Sequence, residues 1–267
     1  MEQARTAPVS AKAQVEALFD SLALQYVRER ERQFSFVSQK RIAIEFLGGA
    51  RGRLLEVGCG PGIMMPELVA MGFEAHGVDV SGEMIRRATQ RMAGHPLEKR
   101  CHFSVGDVER LEFPDAAFDA LLCMGVLEYL PRYTRALEEM SRVLKPGGVG
   151  VIALPNRASA YHAAASVYVR LRTLQRRLRG QRGPVRLAHN RCVPWHFDRE
   201  LAAAGLRKLE SRACNFIFFP VQELLPRLSD SLNRALIPLS RWPLATSLGA
   251  QYIVKAQKTA WPSASSA

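Results

Sequence analysis

At 267 residues and 48% hydrophobic content, the chain can bury a sizeable core, and one α/β domain with insertions is expected rather than two independent domains. No apolar run reaches the roughly 18 residues needed to cross a bilayer, and residues 1–14 have neither the basic start nor the apolar stretch of a secretory leader, so a soluble cytoplasmic protein is expected. The five cysteines are odd in number and lack a C-x-x-C pair or zinc spacing, which reads as reduced thiols, and the net charge of +12 is concentrated in 157–191, where nine arginines occur without one Asp or Glu.

Residues 1–10 read as disordered, and 11–50 as helices that cover the rest. Val15, Leu18, Phe19 and Leu22 share one face of the first helix. Val37, Ile42, Ile44 and Phe46 give the second an apolar surface, and Gly48-Gly49 stops it. Tyr26, Arg28 and Arg30 stand where such a cover can touch a ligand or simply form a solvated face.

From Arg53 onward strands and helices alternate, which predicts a parallel sheet with helices on both faces. The first strand is 53–57, followed by a glycine loop and a helix over 62–71 with Pro66 near its first turn. The second, 75–80, ends at Asp79, and Ser81 caps a helix through Met92. Strands over 102–105 and 118–124 follow, then a helix over 132–144, a turn at Pro146-Gly147-Gly148 and a strand over 149–154. The last strands fall at 207–212 and 251–256, separated by an apolar, proline-punctuated insertion at 216–243. The tail at 259–267 is loose. The single domain therefore spans 11–258, with a ligand-binding core at 51–156 and cap insertions at 157–197 and 213–245.

In an open α/β sheet the ligand lies beyond the carboxyl ends of the strands. The run Leu54-Leu55-Glu56-Val57-Gly58-Cys59-Gly60-Pro61-Gly62 ends a strand in alternating glycines, which turn tightly and let a ligand lie against bare backbone N–H groups at a helix N-terminus. The spacing Gly58-x-Gly60-x-Gly62 behind Glu56 departs from the G-x-G-x-x-G of dinucleotide folds. Asp79, followed by Val80, can accept hydrogen bonds from both hydroxyls of a ribose. After the third strand, Asp107 can accept from an adenine amino group while the Val108 backbone contacts the ring.

The glycine loop, Gly77-Val78-Asp79-Val80-Ser81, Gly106-Asp107, Phe118-Asp119, Leu127-Glu128-Tyr129-Leu130 and Arg142-Val143-Leu144-Lys145-Pro146-Gly147-Gly148 together resemble the class I S-adenosylmethionine-dependent methyltransferases over residues 53–156. The resemblance implies a Rossmann-like seven-stranded, mostly parallel sheet with a reversed last strand. It implies that Glu56 lies near the amino-acid end of S-adenosyl-L-methionine; the Met124 backbone, after the fourth strand, falls near the methionine part, and Cys59, Tyr129 and Tyr26 are further candidates for contact with the cofactor. Cys123-Met124-Gly125-Val126-Leu127-Glu128-Tyr129, Asn156-Arg157 and a basic insertion before His189 are most similar to the ubiquinone-biosynthesis-type O-methyltransferases. Those carry Glu and His where Gly125 and Tyr129 stand, residues associated there with a divalent metal, so no metal is expected here.

A sulfonium methyl is already activated, and in-line placement of the acceptor supplies much of the acceleration. If the acceptor is a hydroxyl, a base helps, and His162, His189 and His196 are the candidates, each also readable as a surface or core histidine. Tyr161, Ala164, Tyr168, Leu171, Leu174 and Leu178 recur at spacings of three and four, predicting an amphipathic helix over 160–179 with an arginine face. That face suits solvent, an anionic membrane surface or, less well, nucleic acid, since no aromatic-and-basic strand of a common RNA module accompanies it. The expected activity is methyl transfer to a small, lipophilic or biosynthetic-intermediate acceptor, most readily at oxygen. A nucleic-acid methyltransferase and a non-catalytic nucleotide-binding module are the rivals. The oligomeric state stays open.

Overall fold

The computed structural model describes residues 11–30, 33–179, 190–216, 225–242 and 249–259. Its centre is a seven-stranded sheet of order β3-β2-β1-β4-β5-β7-β6. The strands are β1 (Gly52–Val57), β2 (Phe73–Asp79), β3 (Cys101–Val105), β4 (Phe118–Met124), β5 (Leu144–Pro155), β6 (Leu206–Cys214) and β7 (Gln251–Lys258). All neighbours pair in parallel except β7, which runs antiparallel to both β5 and β6. The carboxyl ends of β1 to β6 therefore share one edge, and every loop expected to touch a ligand leaves from it.

The central strands are apolar on both sides because both faces are covered. Leu55, Val57, Phe118 and Leu121 pack on one side with Leu137, Met140 and Phe197. Leu54, Ala120 and Leu122 point the other way, onto Phe46, Leu47, Met65 and Leu68. The described helices are α1 (Ala11–Arg30), α2 (Phe34–Leu47), α3 (Met65–Ala70), α4 (Gly82–Met92), α5 (Thr134–Val143), α6 (Ala160–Leu178), α7 (Pro194–Ala203) and α8 (Pro226–Leu236). Ser81 caps α4 as its sequence suggests, its hydroxyl accepting from the Met84 N–H at 3.1 Å. All five cysteines are free.

Two local expectations shift. The helix after β1 begins at Met65 rather than at residue 62, because Gly60 and Gly62 take φ of 51° and 68°, outside the right-handed helical region. The Pro146-Gly147-Gly148 stretch lies within β5 as an irregularity. Leu144 pairs with Phe118, the register shifts, and Val149 then pairs with Ala120. Leu22 of α1 is exposed, unlike Val15, Leu18 and Phe19.

Several family-motif residues brace the sheet. One Asp119 carboxylate oxygen accepts the Arg53 N–H at 2.9 Å and the other accepts from Lys145 Nζ at 2.7 Å, tying β1 and β5 to β4. The Arg142 guanidinium donates to the carbonyls of Leu111 and Phe113 and to Glu139. Among the described residues, no helix is long and apolar enough to cross a membrane.

Candidate functional site

The glycine loop is turned back over β2 by its own backbone. The N–H groups of Gly58 and Cys59 both donate to the Val78 carbonyl, at 2.7 and 3.0 Å. Gly58 sits at φ 68°, and a Cβ there would lie 2.0 Å from Val126 Cγ2, so backbone conformation and space both require glycine. Gly62 has a different duty: a Cβ on it would press on Ala88 at 3.1 Å, so it lets the loop pack on α4.

Asp79 organises the carboxyl edge. One of its oxygens accepts the Gly60 N–H at 2.8 Å and the other the Ser81 N–H at 3.0 Å, and with four lone pairs the carboxylate keeps acceptor capacity for a ligand hydroxyl. Burial pushes its pKa up, against the opposing hydrogen bonds from Ser81, Gly60 and Val80. Asp107 accepts the Glu109 N–H at 3.0 Å and is ion-paired with Lys12 of α1. Gly58, Gly60, Asp79, Val80, Asp107 and Val108 line one continuous pocket, closed on one side by Met124 and Tyr129 and roofed by Lys12, Val15 and Phe19. Phe19 meets the Tyr129 ring edge-on, centroids 5.1 Å apart.

A smaller chamber shares Gly58, Gly60 and Met124 with this pocket and is lined further by Glu56, Cys59, Phe36 and Gln39. Glu56 is buried, and its Oε2 has no hydrogen-bond partner. Burial, with the nearby charges of Asp79 and Glu67, drives its pKa well above the usual carboxylate range. A buried carboxylate oxygen without a donor is costly, and a ligand ammonium would satisfy it.

The candidate bases are not brought to this pocket. His162 sits on α6 with Nε2 3.2 Å from the Ala250 carbonyl, and His196 is exposed on α7 against the Trp195 ring, centroids 5.8 Å apart. Neither lines the pocket or the chamber. His189 and the side chain of Tyr26 lie outside the described residues. Among the described residues one group has metal-binding character, Glu74, His76 and His102. It lies within β2 and β3, with Arg53 only 3.3 Å from His76 Nε2, and takes no part in the pocket.

A family profile described as a methyltransferase domain matches residues 55–152. A phosphatidylethanolamine N-methyltransferase of Cereibacter sphaeroides is 33% identical over 137 residues, covering 50% of this chain and 67% of that protein. The chain belongs to the class I S-adenosylmethionine-dependent methyltransferases. This methyltransferase lies near the ubiquinone-type branch: a ubiquinone biosynthesis O-methyltransferase of Xanthomonas oryzae pv. oryzae is 33% identical over 119 residues, 44% of this chain. The match covers 49% of that relative, about half its length. In fold it is similar to the magnesium protoporphyrin IX methyltransferase of Synechocystis with bound S-adenosylhomocysteine, at a TM-score of 0.65 and 14% identity over 93% of this chain and all (100%) of the other.

The residues present fit S-adenosylmethionine, the methyl donor of the family. The donorless Glu56 oxygen suits its ammonium, the Asp79 oxygens its ribose and the Asp107 turn its adenine. When bound, the donor supplies a sulfonium methyl. The chain's own residues would hold and orient it, with α1 and the Met124–Tyr129 wall lining the pocket around it. Val15 and Phe19 are not legible as site residues in the sequence, because an apolar stripe on a helix reads the same whether it covers core or ligand, and Lys12 reads as part of a solvated face.

Proposed function

We propose that this methyltransferase moves a methyl group to a small, lipophilic acceptor, at oxygen, beside an anionic membrane surface. The observation that carries the reading is on α6. Val167, Leu171, Leu174 and Leu178 recur at steps of four, three and four and are all exposed, so they form one uncovered apolar stripe among Arg170, Arg172, Arg176 and Arg179. An interfacial helix has this composition, with leucines for the acyl boundary and arginines for the head groups. Two copies of the same face would oppose like charges, and nucleic acid would leave the leucines unused.

The insertion that carries α6 returns to the chain at the pocket. The Asn190 N–H donates to the Glu128 carbonyl at 2.7 Å, beside the wall formed by Tyr129, Leu130 and Pro131. A substrate collected at the lipid surface would thus arrive near the reacting methyl. The relatives matched above are named for a phospholipid and for ubiquinone biosynthesis, which is consistent with a lipophilic acceptor, and their methylated atoms are nitrogen and oxygen. Oxygen rests on the ubiquinone-type motif around Met124.

Calorimetry checks the cofactor. S-adenosylhomocysteine binds, and Asp79→Ala weakens it by about tenfold or more, as expected when charge-assisted hydrogen bonds to ribose are lost. Incubation with radiolabelled donor and a total lipid extract then puts label into the organic phase. Label that enters only RNA would replace this reading with nucleic-acid methylation, and tight NAD binding without a response to S-adenosylhomocysteine would overturn it altogether.

A further inference from the structure

Outside the cofactor site, three metal-ligating side chains meet on one face of the sheet. Glu74 and His76 stand two residues apart on β2 and so project to the same side. His102, on the edge strand β3, is the register partner of His76 and joins them across the strand pair. Glu74 Oε1 lies 3.4 Å from His76 Nε2 and 3.5 Å from His102 Nε2, and the ligand atoms of all three residues fall within 4.8 Å of one another. Zinc bonds of about 2.1 Å arranged as a tetrahedron set neighbouring ligand atoms about 3.4 Å apart. Two of the three edges already have that length.

The surroundings hold one ring firmly and leave the other two side chains open. His76 packs edge-on against Phe113 and Phe118, with centroids 6.0 and 5.4 Å away, and its ring lies 4.6 Å from that of His102. The side chains of Glu74 and His102 are 45% and 48% exposed, so an ion can enter from solvent and the His102 ring can turn to close the third edge.

The polar contacts around His76 Nε2 do not match. Arg53 Nη2 lies 3.3 Å from that nitrogen and Glu74 Oε1 3.4 Å. A guanidinium only donates and an ionised carboxylate only accepts. With a proton, Nε2 opposes the Arg53 donor, and without one it opposes the Glu74 oxygen. A divalent metal ion in place of the guanidinium takes an electron pair from Nε2 and from Oε1 alike, which removes the mismatch. Arg53 can give way, because its side chain is 41% exposed, its Nη1 reaches the Ala117 carbonyl at 3.4 Å and its guanidinium lies 5.2 Å over the Phe118 ring.

Two imidazoles and one carboxylate suit zinc and its neighbours among the divalent transition metals, whereas magnesium and calcium take oxygen ligands. We propose that Glu74, His76 and His102 form a zinc site that clasps β3 to β2, with Arg53 displaced by the ion and water completing the tetrahedron. The site is structural. None of its residues lines the cofactor pocket or the chamber beside it, so it is independent of the proposed methyl transfer.

The test uses the full chain without an affinity tag, stripped with EDTA, freed of the chelator and titrated with zinc chloride by calorimetry. One zinc ion should bind per chain, and the melting temperature should rise with zinc concentration. His102→Ala should weaken the binding by about tenfold or more and abolish the melting shift, and Glu74→Gln should do the same. Arg53→Gln should bind zinc several-fold more tightly, because no guanidinium has to leave. Cys101→Ser, which removes the neighbouring thiol, should bind as the unsubstituted protein does, and magnesium should not compete. S-adenosylhomocysteine affinity should be the same in all four variants. Failure to bind one zinc ion at micromolar concentration, undiminished binding in His102→Ala, or loss of binding in Cys101→Ser would each overturn the proposal. So would an Arg53→Gln variant that binds zinc no more tightly.

Discussion

Asp107, just after β3, is ion-paired with Lys12 in the first turn of α1, ninety-five residues earlier in the chain. Two further contacts seat the same helix: Phe19 against Tyr129, and a hydrogen bond from the Ser81 hydroxyl to Asp20. The helix that roofs the cofactor pocket is thus fastened to residues that follow β2, β3 and β4. An exposed ion pair contributes about 1 kcal/mol or less, so Lys12→Ala should speed S-adenosylhomocysteine dissociation by no more than about fivefold in stopped-flow measurements. Phe19→Ala, which removes part of the roof, should speed it further. Unchanged dissociation in both variants would mean that α1 does not retain the ligand.

Glu56 sets a pH dependence. Its folded-state pKa is raised by burial and by Asp79 and Glu67, so the stability linked to it is fully present below the unfolded value of about 4.3 and is lost as pH rises through the folded value. Glu56→Gln should therefore raise the melting temperature of the ligand-free protein at pH 7.5. The same change removes the partner of the ligand ammonium and should weaken S-adenosylhomocysteine by about tenfold or more. In the unsubstituted protein, binding an ammonium favours the ionised carboxylate, so affinity falls as pH drops below the folded pKa. Calorimetry in buffers of different ionisation enthalpy should detect proton release. A variant that melts lower and binds as before would refute this role.

Turnover should survive chelation. Gly125 and Tyr129 stand where ubiquinone-type relatives carry Glu and His, and the Glu74, His76 and His102 group is remote from the pocket lining. Full activity in EDTA is the expected outcome. Loss in EDTA with recovery on adding magnesium would show that Glu128 and residues outside the described set hold a metal.

The arginine face of α6 should govern attachment to lipid. Each basic residue near an anionic surface contributes about 1 kcal/mol, so the Arg172, Arg176 and Arg179 to Glu triple variant should no longer sediment with phosphatidylglycerol vesicles at low salt. Its S-adenosylhomocysteine affinity should be unchanged, because the cofactor residues follow other strands. Protein that ignores such vesicles but binds transfer RNA with a steep salt dependence would move the face to nucleic acid.

Asp119 and Arg142 belong to the motifs by which the sequence resembles its family, yet they brace the sheet and line neither the cofactor pocket nor the chamber beside it. Arg142→Leu should cost stability, because the Leu111 and Phe113 carbonyls lose a charged donor worth about 1.5–3 kcal/mol per bond. Chemical denaturation should show a lower midpoint with cofactor affinity kept. An equal loss of both would place Arg142 in the binding machinery.

The strands, the Ser81 cap, the glycine loop and the order of Glu56, Asp79 and Asp107 were determined by the sequence alone. Each is a local matter: apolar runs bounded by turn residues, backbone angles that glycine accepts, and carboxylates within two residues of a strand end. Tertiary structure alone decided what surrounds them. Val15 and Phe19 have the same helical spacing whether they cover core or ligand, Gly62 looks like a ligand glycine until Ala88 is found against it, and His162 resembles a base until the Ala250 carbonyl is found on its ring. Periodicity fixes which side chains share a face, but it carries no information about what that face will meet.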